Sequence, residues 1–461
     1  MRGRDLLWIF VGCIAVTAAI DKVRAQSVTV SDLVVFSTAA FGNPTSTPAQ
    51  GRDGSLYATI IGSNASPGQF FKFSSTGTTR LLYTPSVSSA YGTISGLTLG
   101  TDGNFYGVVE SAAVSGGSQY GNLFQLTPKG TFTILHLFNG STDGAFPLGA
   151  PIEATDGNLY GSTFGGTVGP STIYKYTRAG QFSTIYVVPT AQGMWANSVL
   201  QGSDGNLYIT CFEGGIQNNG TILKVSTSGR FLSDYAFTGG SNGSLPLGGL
   251  VSASDGSYYG TTYQGGGVGA GFGAAFRLTA SGQLTVLHGF TNQGRNSHYP
   301  VGLIQATDGY LYGVTTAGGQ NGVGTLYRLS TSGAYTDLYN FSTSVGNNVQ
   351  GLMQDTSGLL YGSANQGSTN GYGAMLSINL GLGPFVRVIE PASSAGKTIE
   401  ILGQSFTGTQ SVTVNGLPAS SFSVVNDTYL TAVVPTGATT GPVVVTTPTA
   451  TLTSNQNLVI H

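Results

Sequence analysis

The residues best suited to catalysis are few. Glu110 and Glu213 fall at nearly the same place in two repeated segments, four and five residues after Tyr106 and Tyr208. His298 is the one histidine before the C-terminus that stands outside a repeated column. Two carboxylates and an imidazole are the makings of general acid–base work, but nothing in their spacing along the chain brings them together. His136 and His288 resemble an acid–base or metal pair, yet both occupy a column filled elsewhere by Tyr83, Tyr186, Tyr235 and Tyr339, which points to a structural role. Cys211 stands where other segments place Thr163, Thr262 and Thr315 and is expected to be a buried strand residue with an unreactive thiol. Lys72, Lys175, Lys224, Arg277 and Arg328 form a basic column, on a strand where long stems cover apolar surface while the charged heads stay wet. No phosphate-cradling GxxxxGKS, no HExxH, no calcium loop and no nucleophile elbow occurs, so the sequence asks for no cofactor and no metal.

Such columns exist because the chain repeats itself. The phrase "ATDGNLYGSTFGG" (154–166) recurs as "DGSLYAT" (53–59), "DGNFYGV" (102–108), "DGNLYIT" (204–210), "DGSYYGT" (255–261), "DGYLYGV" (308–314) and, degraded, "SGLLYGS" (357–363). The shared glycines, Gly54, Gly103, Gly157, Gly205, Gly256, Gly309 and Gly358, lie 49, 54, 48, 51, 53 and 49 residues apart, which makes seven units. Each unit also carries a strand-like phrase such as "TLYRLSTSG" (325–333), a second such as "YTDLYNF" (335–341), and an apolar run before its turn, as in "PVGLIQAT" (300–307). Four short strands recurring at this period predict an all-β fold in which residues 27–380 form a seven-bladed β-propeller.

Within a unit the Asp-Gly pair predicts a tight hairpin between strands one and two, because the aspartate bonds its own turn and glycine accepts positive φ. The six turn aspartates are then committed to scaffold. A propeller must also close. The seventh unit stops after its third strand, "AMLSIN" (374–379), and "VSDLVVF" (30–36) carries the missing fourth-strand phrase, with Phe36 in register with Phe138, Phe290 and Phe341. The N-terminal strand is predicted to complete the last blade and cover its open edge.

The segment "PVGLIQATDGYLYGVTTAGGQNGVGTLYRLSTSGAYTDLYNF" (300–341) resembles the GloVer tandem repeat of bacterial choice-of-anchor surface proteins. The resemblance covers residues 27–380 and includes the order and spacing of the phrases. It implies export to the cell surface or medium, with an anchor that varies between members, and it implies no established activity, hence no catalytic residues. After a Gly/Pro linker at 381–384 the period disappears. Residues 385–461 are similar to an IPT/TIG immunoglobulin-like domain, with Gly403 and Phe406 after the first core strand, Asn415 and Gly416 in a hairpin, and Pro435 and Gly441 before a late strand. About 77 residues suffice for one small β-sandwich, and the resemblance implies a spacer or docking module.

Export also has its own signal. Arg2 and Arg4 precede the apolar run 6–20, and the small residues of "VRA" (23–25) precede Gln26, as expected of a signal peptide over residues 1–25. Lipidation of Cys13 is the rival, but the apolar run continues past it. The chain of 461 residues is only 8% charged, and without residues 1–25 it keeps 13 basic and 17 acidic residues, a net charge of −4. With no basic patch, nucleic acid and anionic membrane are excluded as partners. Cys211 alone remains after cleavage, so no intrachain disulfide forms, and no second apolar run reaches the ~18 residues of a membrane span. A monomer is expected.

Function should therefore sit where units differ, on the face that carries the longer connections. The candidate ligand-binding residues there are Tyr91, Glu110, Trp195, Glu213, Arg295, His298 and Tyr299. The favoured reading is a non-enzymatic module that binds an extracellular glycan or protein through flat Trp195 and Tyr299 rings, with the sandwich as spacer. Two others stand beside it: a propeller lyase or hydrolase acting on an extracellular polymer through Glu110, Glu213 and His298, and a purely structural matrix component.

Overall fold

The computed structural model describes residues 28–36, 44, 46–60, 68–85, 95–110, 120–165, 169–267, 271–291, 297–390 and 392–461. The signal peptide expected over residues 1–25, Cys13 included, lies outside them. Every regular element among the described residues is a strand.

Each repeat folds into a four-stranded antiparallel sheet. The first comprises Ala49–Gln50, Leu56–Ile60, Gln69–Phe73 and Thr79–Tyr83, and five more follow in chain order. The seventh joins Asn347–Gln354, Leu360–Gln366 and Ala374–Asn379 to the N-terminal strand Thr29–Val35. Thr29 lies opposite Asn379 and Val35 opposite Ala374. The Phe36 N–H donates to the Gly373 carbonyl at 3.3 Å, the bond that Phe138, Phe290 and Phe341 make with Gly121, Gly273 and Gly324. The expected register holds because the same backbone bond ends the fourth strand in each of these sheets.

The recurring phrase makes the recurring turn. In the third unit Asp156 Oδ1 accepts from Asn158 N–H at 3.1 Å, Gly157 N–H donates to the Ala154 carbonyl at 2.8 Å, and Gly157 has φ 75°, a conformation in which a Cβ would be strained. Asp156 Oδ2 meanwhile accepts the Tyr160 hydroxyl at 2.7 Å. One aspartate thus ties both the turn and the strand that leaves it.

Packing follows the succession of sheets. Seven apolar clusters each draw on two consecutive sheets: Phe70 with Phe124, Phe138 with Tyr174, Ile173 with Leu223, Phe237 with Phe276, Phe290 with Tyr327, and Leu326 with Leu376. The remaining cluster sets Met353, Tyr361 and Met375 of the seventh sheet against Leu56, Ile60 and Phe73 of the first. The series returns on itself, and the fold is β-propeller-like. Each fully buried aromatic or aliphatic side chain contributes roughly 2–3 kcal/mol from burial, so the seams between sheets are the protein's core.

The C-terminal region has two four-stranded sheets of its own, beside a parallel pair of Ala392–Ser393 with Val459–Ile460. One holds Arg387–Val388, Thr398–Leu402, Tyr429–Val433 and Ser421–Asn426; the other holds Leu417–Pro418, Ser411–Val414, Val443–Thr446 and Thr451–Thr453. Between them lie Ile399, Ile401, Phe406, Val414, Leu430 and Val445. This region rests directly on the propeller-like part. Phe385 N–H donates to the Thr356 carbonyl at 3.0 Å, Gln404 Nε2 reaches Thr356 Oγ1 at 2.9 Å, and the Thr428 hydroxyl donates to the Arg52 carbonyl at 3.0 Å.

Candidate functional site

The two ends of the sheets are chemically different. At the end opposite the Asp-Gly turns, the chain carries, within or shortly before five of the first strands, a backbone twist that L-residues rarely adopt. Phe146, Trp195, Leu245, Tyr299 and Asn348 have φ between 53° and 60°, and each stands ten or eleven residues before its turn glycine. Recurrence in five units marks the twist as a property of the repeat. It presents the carbonyl of this residue to the end of the second strand, as in Phe164 N–H to Phe146 O at 3.0 Å and Tyr263 N–H to Leu245 O at 2.9 Å.

The side chains of this column stack on one another's neighbours. Trp195 lies between Phe164, with ring centroids 5.0 Å apart at 12°, and Phe212, at 6.0 Å and 17°. Tyr299 stacks on Tyr263 at 4.6 Å and meets Phe272 edge-on at 5.5 Å, while His298 meets Phe272 edge-on at 5.4 Å. Phe164 and Phe212 therefore cover flat area of Trp195, and Tyr263 covers flat area of Tyr299. All six of these aromatic residues remain half-exposed.

Glu110 follows the strand Phe105–Val109, Glu213 ends Leu207–Glu213 opposite Met194, and His298 opens His298–Gln305 opposite Ala317. They belong to the second, fourth and sixth sheets, no two of which are neighbours. Tyr91 and Arg295 lie outside the described residues.

The repeat-column residues have structural surroundings. His136 stacks on Phe182 at 3.5 Å and its Nε2 lies 2.8 Å from Asp143 Oδ2. His288 stacks on Tyr335 at 3.9 Å. Burial holds both imidazoles below their ordinary pKa. Cys211 is fully buried, and burial pushes its thiol up to about 12.

The turn end carries the charge. Lys72, Lys175 and Lys224 pair with the turn aspartates Asp53, Asp156 and Asp204 at 2.5, 3.2 and 2.7 Å and sit 5.3–5.6 Å from the centroids of Tyr57, Tyr160 and Tyr208. At the solvent edge the lysine heads complete Asp–Tyr–Lys sets. Burial opposes ionisation of Asp204, but Lys224, Asn206 and the Tyr208 hydroxyl together hold its carboxyl below the usual range.

A second column joins sheets to each other. In five units the residue four before the turn glycine reaches the preceding sheet's turn: Gln201 Oε1 accepts Thr155 N–H at 2.8 Å, Gln305 Oε1 accepts Ser254 N–H at 2.8 Å, and Gln354 Oε1 accepts Thr307 N–H at 3.2 Å. Glu153 serves Thr101 in the same way, its Oε2 accepting the N–H at 2.8 Å, and also pairs with Arg178. At this end the C-terminal region docks. Arg52 donates to the Thr101 carbonyl at 2.8 Å, pairs with Glu400 and lies 4.9 Å from the Tyr429 ring centroid. Burial, and then the nearby charges of Glu400 and Glu153, push Glu390 up to about 7.

These features can be set beside known proteins. The model of the Gloeobacter/Verrucomicrobia repeat matches residues 18–193, 93–296, 150–376 and 269–408. No curated protein matches the chain. Among solved structures it is similar to the periplasmic gluconolactonase of Pseudomonas aeruginosa, with 17% identity and a TM-score of 0.45 over 71% of this chain and 97% of that one. It is also similar to a putative 6-phosphogluconolactonase from Bacteroides uniformis, with 15% identity and a TM-score of 0.46 over 70% and 95%. Overlapping matches over most of the chain settle its kinship: the protein belongs to the Gloeobacter/Verrucomicrobia repeat family.

Proposed function

We propose that the protein is an exported, non-catalytic binding module: a seven-bladed β-propeller followed by an immunoglobulin-like sandwich of the IPT/TIG kind, which holds an extracellular glycan or protein at the loop end of its sheets. The observation that carries the reading is the half-exposed aromatic strip built from Phe164, Trp195 and Phe212 and from Tyr263, Tyr299 and Phe272. Stacked rings held by a repeated backbone twist form a rigid surface, and rigid aromatic area costs little entropy on binding. Glu110, Glu213 and His298, needed by a lyase or hydrolase, stand on non-adjacent sheets. In this reading the sandwich closes the turn end as a fixed cap, because Arg52, Thr356 and Thr428 hold it there.

The test is a panel of plant, fungal and bacterial polysaccharides and cell-surface proteins, scored for binding and for product in the same wells. Binding without product, weakened about tenfold or more by Trp195→Ala, supports the proposal. Product that disappears in a Glu110→Gln, Glu213→Gln double variant overturns it.

A further inference from the structure

The seam between the propeller-like part and the C-terminal region frames a solvent-open cavity of about 300 Å³. Its walls are the first strands of the fifth, sixth and seventh sheets, through Val251, Ile304 and Leu352, and the C-terminal region, through Arg387, Asn455 and Asn457. That volume is at the lower end of small-molecule sites.

Arg387 is the cation of this cavity. It lies deep in the seam, keeps some accessible surface and lines the open space. One of its N–H groups donates to the Gln354 carbonyl, and among the described residues it forms no ion pair within 4.0 Å. Asp355, whose field it feels, has its Oδ1 taken by the Ser357 N–H at 3.0 Å and the Ser357 hydroxyl at 2.5 Å. Glu390, also at the cavity, turns its Oε2 to the Glu400 N–H at 2.9 Å. A guanidinium has five donors in a fixed fork, and a desolvated charge is stable only when it is matched. Among the described residues one acceptor, the Gln354 carbonyl, meets this fork. A carboxylate fits the rest of the fork in two parallel bonds.

We propose that this cavity binds a small hydroxylated carboxylate of the hexuronate class. Its carboxylate lies on Arg387, its hydroxyls meet the side-chain amides of Asn455 and Asn457, and its carbon skeleton rests on Val251, Ile304 and Leu352. The site is separate from the loop-end surface and does not depend on it.

Calorimetric titration of the purified chain with D-glucuronate and with D-glucose, which differ only at the C6 carboxylate, tests the assignment. Glucuronate should bind at least about tenfold more tightly than glucose, and Arg387→Gln should erase the difference. Because Arg387 sits in the domain seam, Asn455→Asp is the second variant: it sets a like charge at the half-buried edge of the cavity and should weaken glucuronate severalfold, while Trp195→Ala leaves it unchanged. Equal or absent binding of the two sugars overturns the proposal. So does wild-type affinity for glucuronate in a folded Asn455→Asp chain.

Discussion

The Gln50 side chain takes both polar groups of Thr356, accepting its N–H at 3.1 Å and donating to its hydroxyl at 2.9 Å across 306 positions of sequence. Gln50 is 2% exposed. This clasp joins the first sheet to the seventh, and Thr356 passes it on to the C-terminal region through Gln404 and the Gly403 carbonyl.

Replacing Gln50 by leucine should cost about 2–3 kcal/mol, because the buried Thr356 N–H loses its acceptor and the Thr356 hydroxyl loses one of its donors. The equivalent Gln201→Leu change, at the solvent-exposed clasp to Thr155, should cost less than about 1 kcal/mol, since water replaces the lost bonds. Urea denaturation of the two variants checks the ordering, and equal losses would refute it.

The Asp–Tyr–Lys sets make a graded prediction. Asp204→Ala removes the bonds from Asn206 N–H at 3.1 Å and the Tyr208 hydroxyl at 3.0 Å together with the Lys224 ion pair, and should cost about 2 kcal/mol. Asp204→Asn keeps the turn bond and should cost about half of that. Lys224→Met loses only a surface pair and should fall below about 1 kcal/mol. Thermal denaturation of the three ranks them.

Arg52 ties the C-terminal region to the first sheet at one point. Its removal leaves the Glu400 carboxylate, whose side chain is 14% exposed, without its cation and strips the Tyr429 ring of its stacked charge. Arg52→Ala should therefore split calorimetric unfolding into two transitions, with the C-terminal region melting first; a single unsplit transition would refute this.

Glu390 should add stability as the solution becomes mildly acid. Glu390 has a folded pKa of about 7 against an ordinary 4.5, so the folded state binds the extra proton and stability rises as pH falls from about 7 to 4.5. Burial also raises Glu400 and Asp355, with the same sign, whereas His136 and His288, held below the ordinary 6.5 by burial, act in the opposite direction as pH falls through that value. Glu390 feels Glu400 and Glu153, which are paired with Arg52 and Arg178, so its own gain is on the order of 1–3 kcal/mol. Asp53, Asp102, Asp156 and Asp204 are held low; their contribution is present above the ordinary 3.8 and is lost as pH falls below it. Glu390→Gln should flatten the rise between pH 7 and 4.5 and leave the acid limb in place.

Cys211 should resist alkylation in the folded chain at pH 8 and react on unfolding, because burial both covers the thiol and suppresses its thiolate. Rapid labelling of the native protein would refute this.

The repeat and its closure were legible in the sequence because both are local or periodic. A turn needs only Asp156, Gly157 and Tyr160 within a few residues, and a β-strand shows its register in the column that Phe36 shares with Phe138. The clasps were visible in principle, as Gln50, Glu153, Gln201, Gln305 and Gln354 all stand four before a turn glycine. No reading of one unit identifies their partners, which belong to the sheet before. Trp195 and Tyr299 stood out as departures, yet their free faces were misjudged, since Phe164 and Tyr263 come from the preceding unit. The sequence by itself determined the all-β repeat, the N-terminal strand's place in the seventh sheet and the fate of the turn aspartates, because backbone bonding and alternation act over a few residues. Only the tertiary structure decided which rings stack, which sheet each glutamine holds and that Arg387 meets a cavity, because those contacts join residues whose separation in sequence carries no energy until the sheets pack.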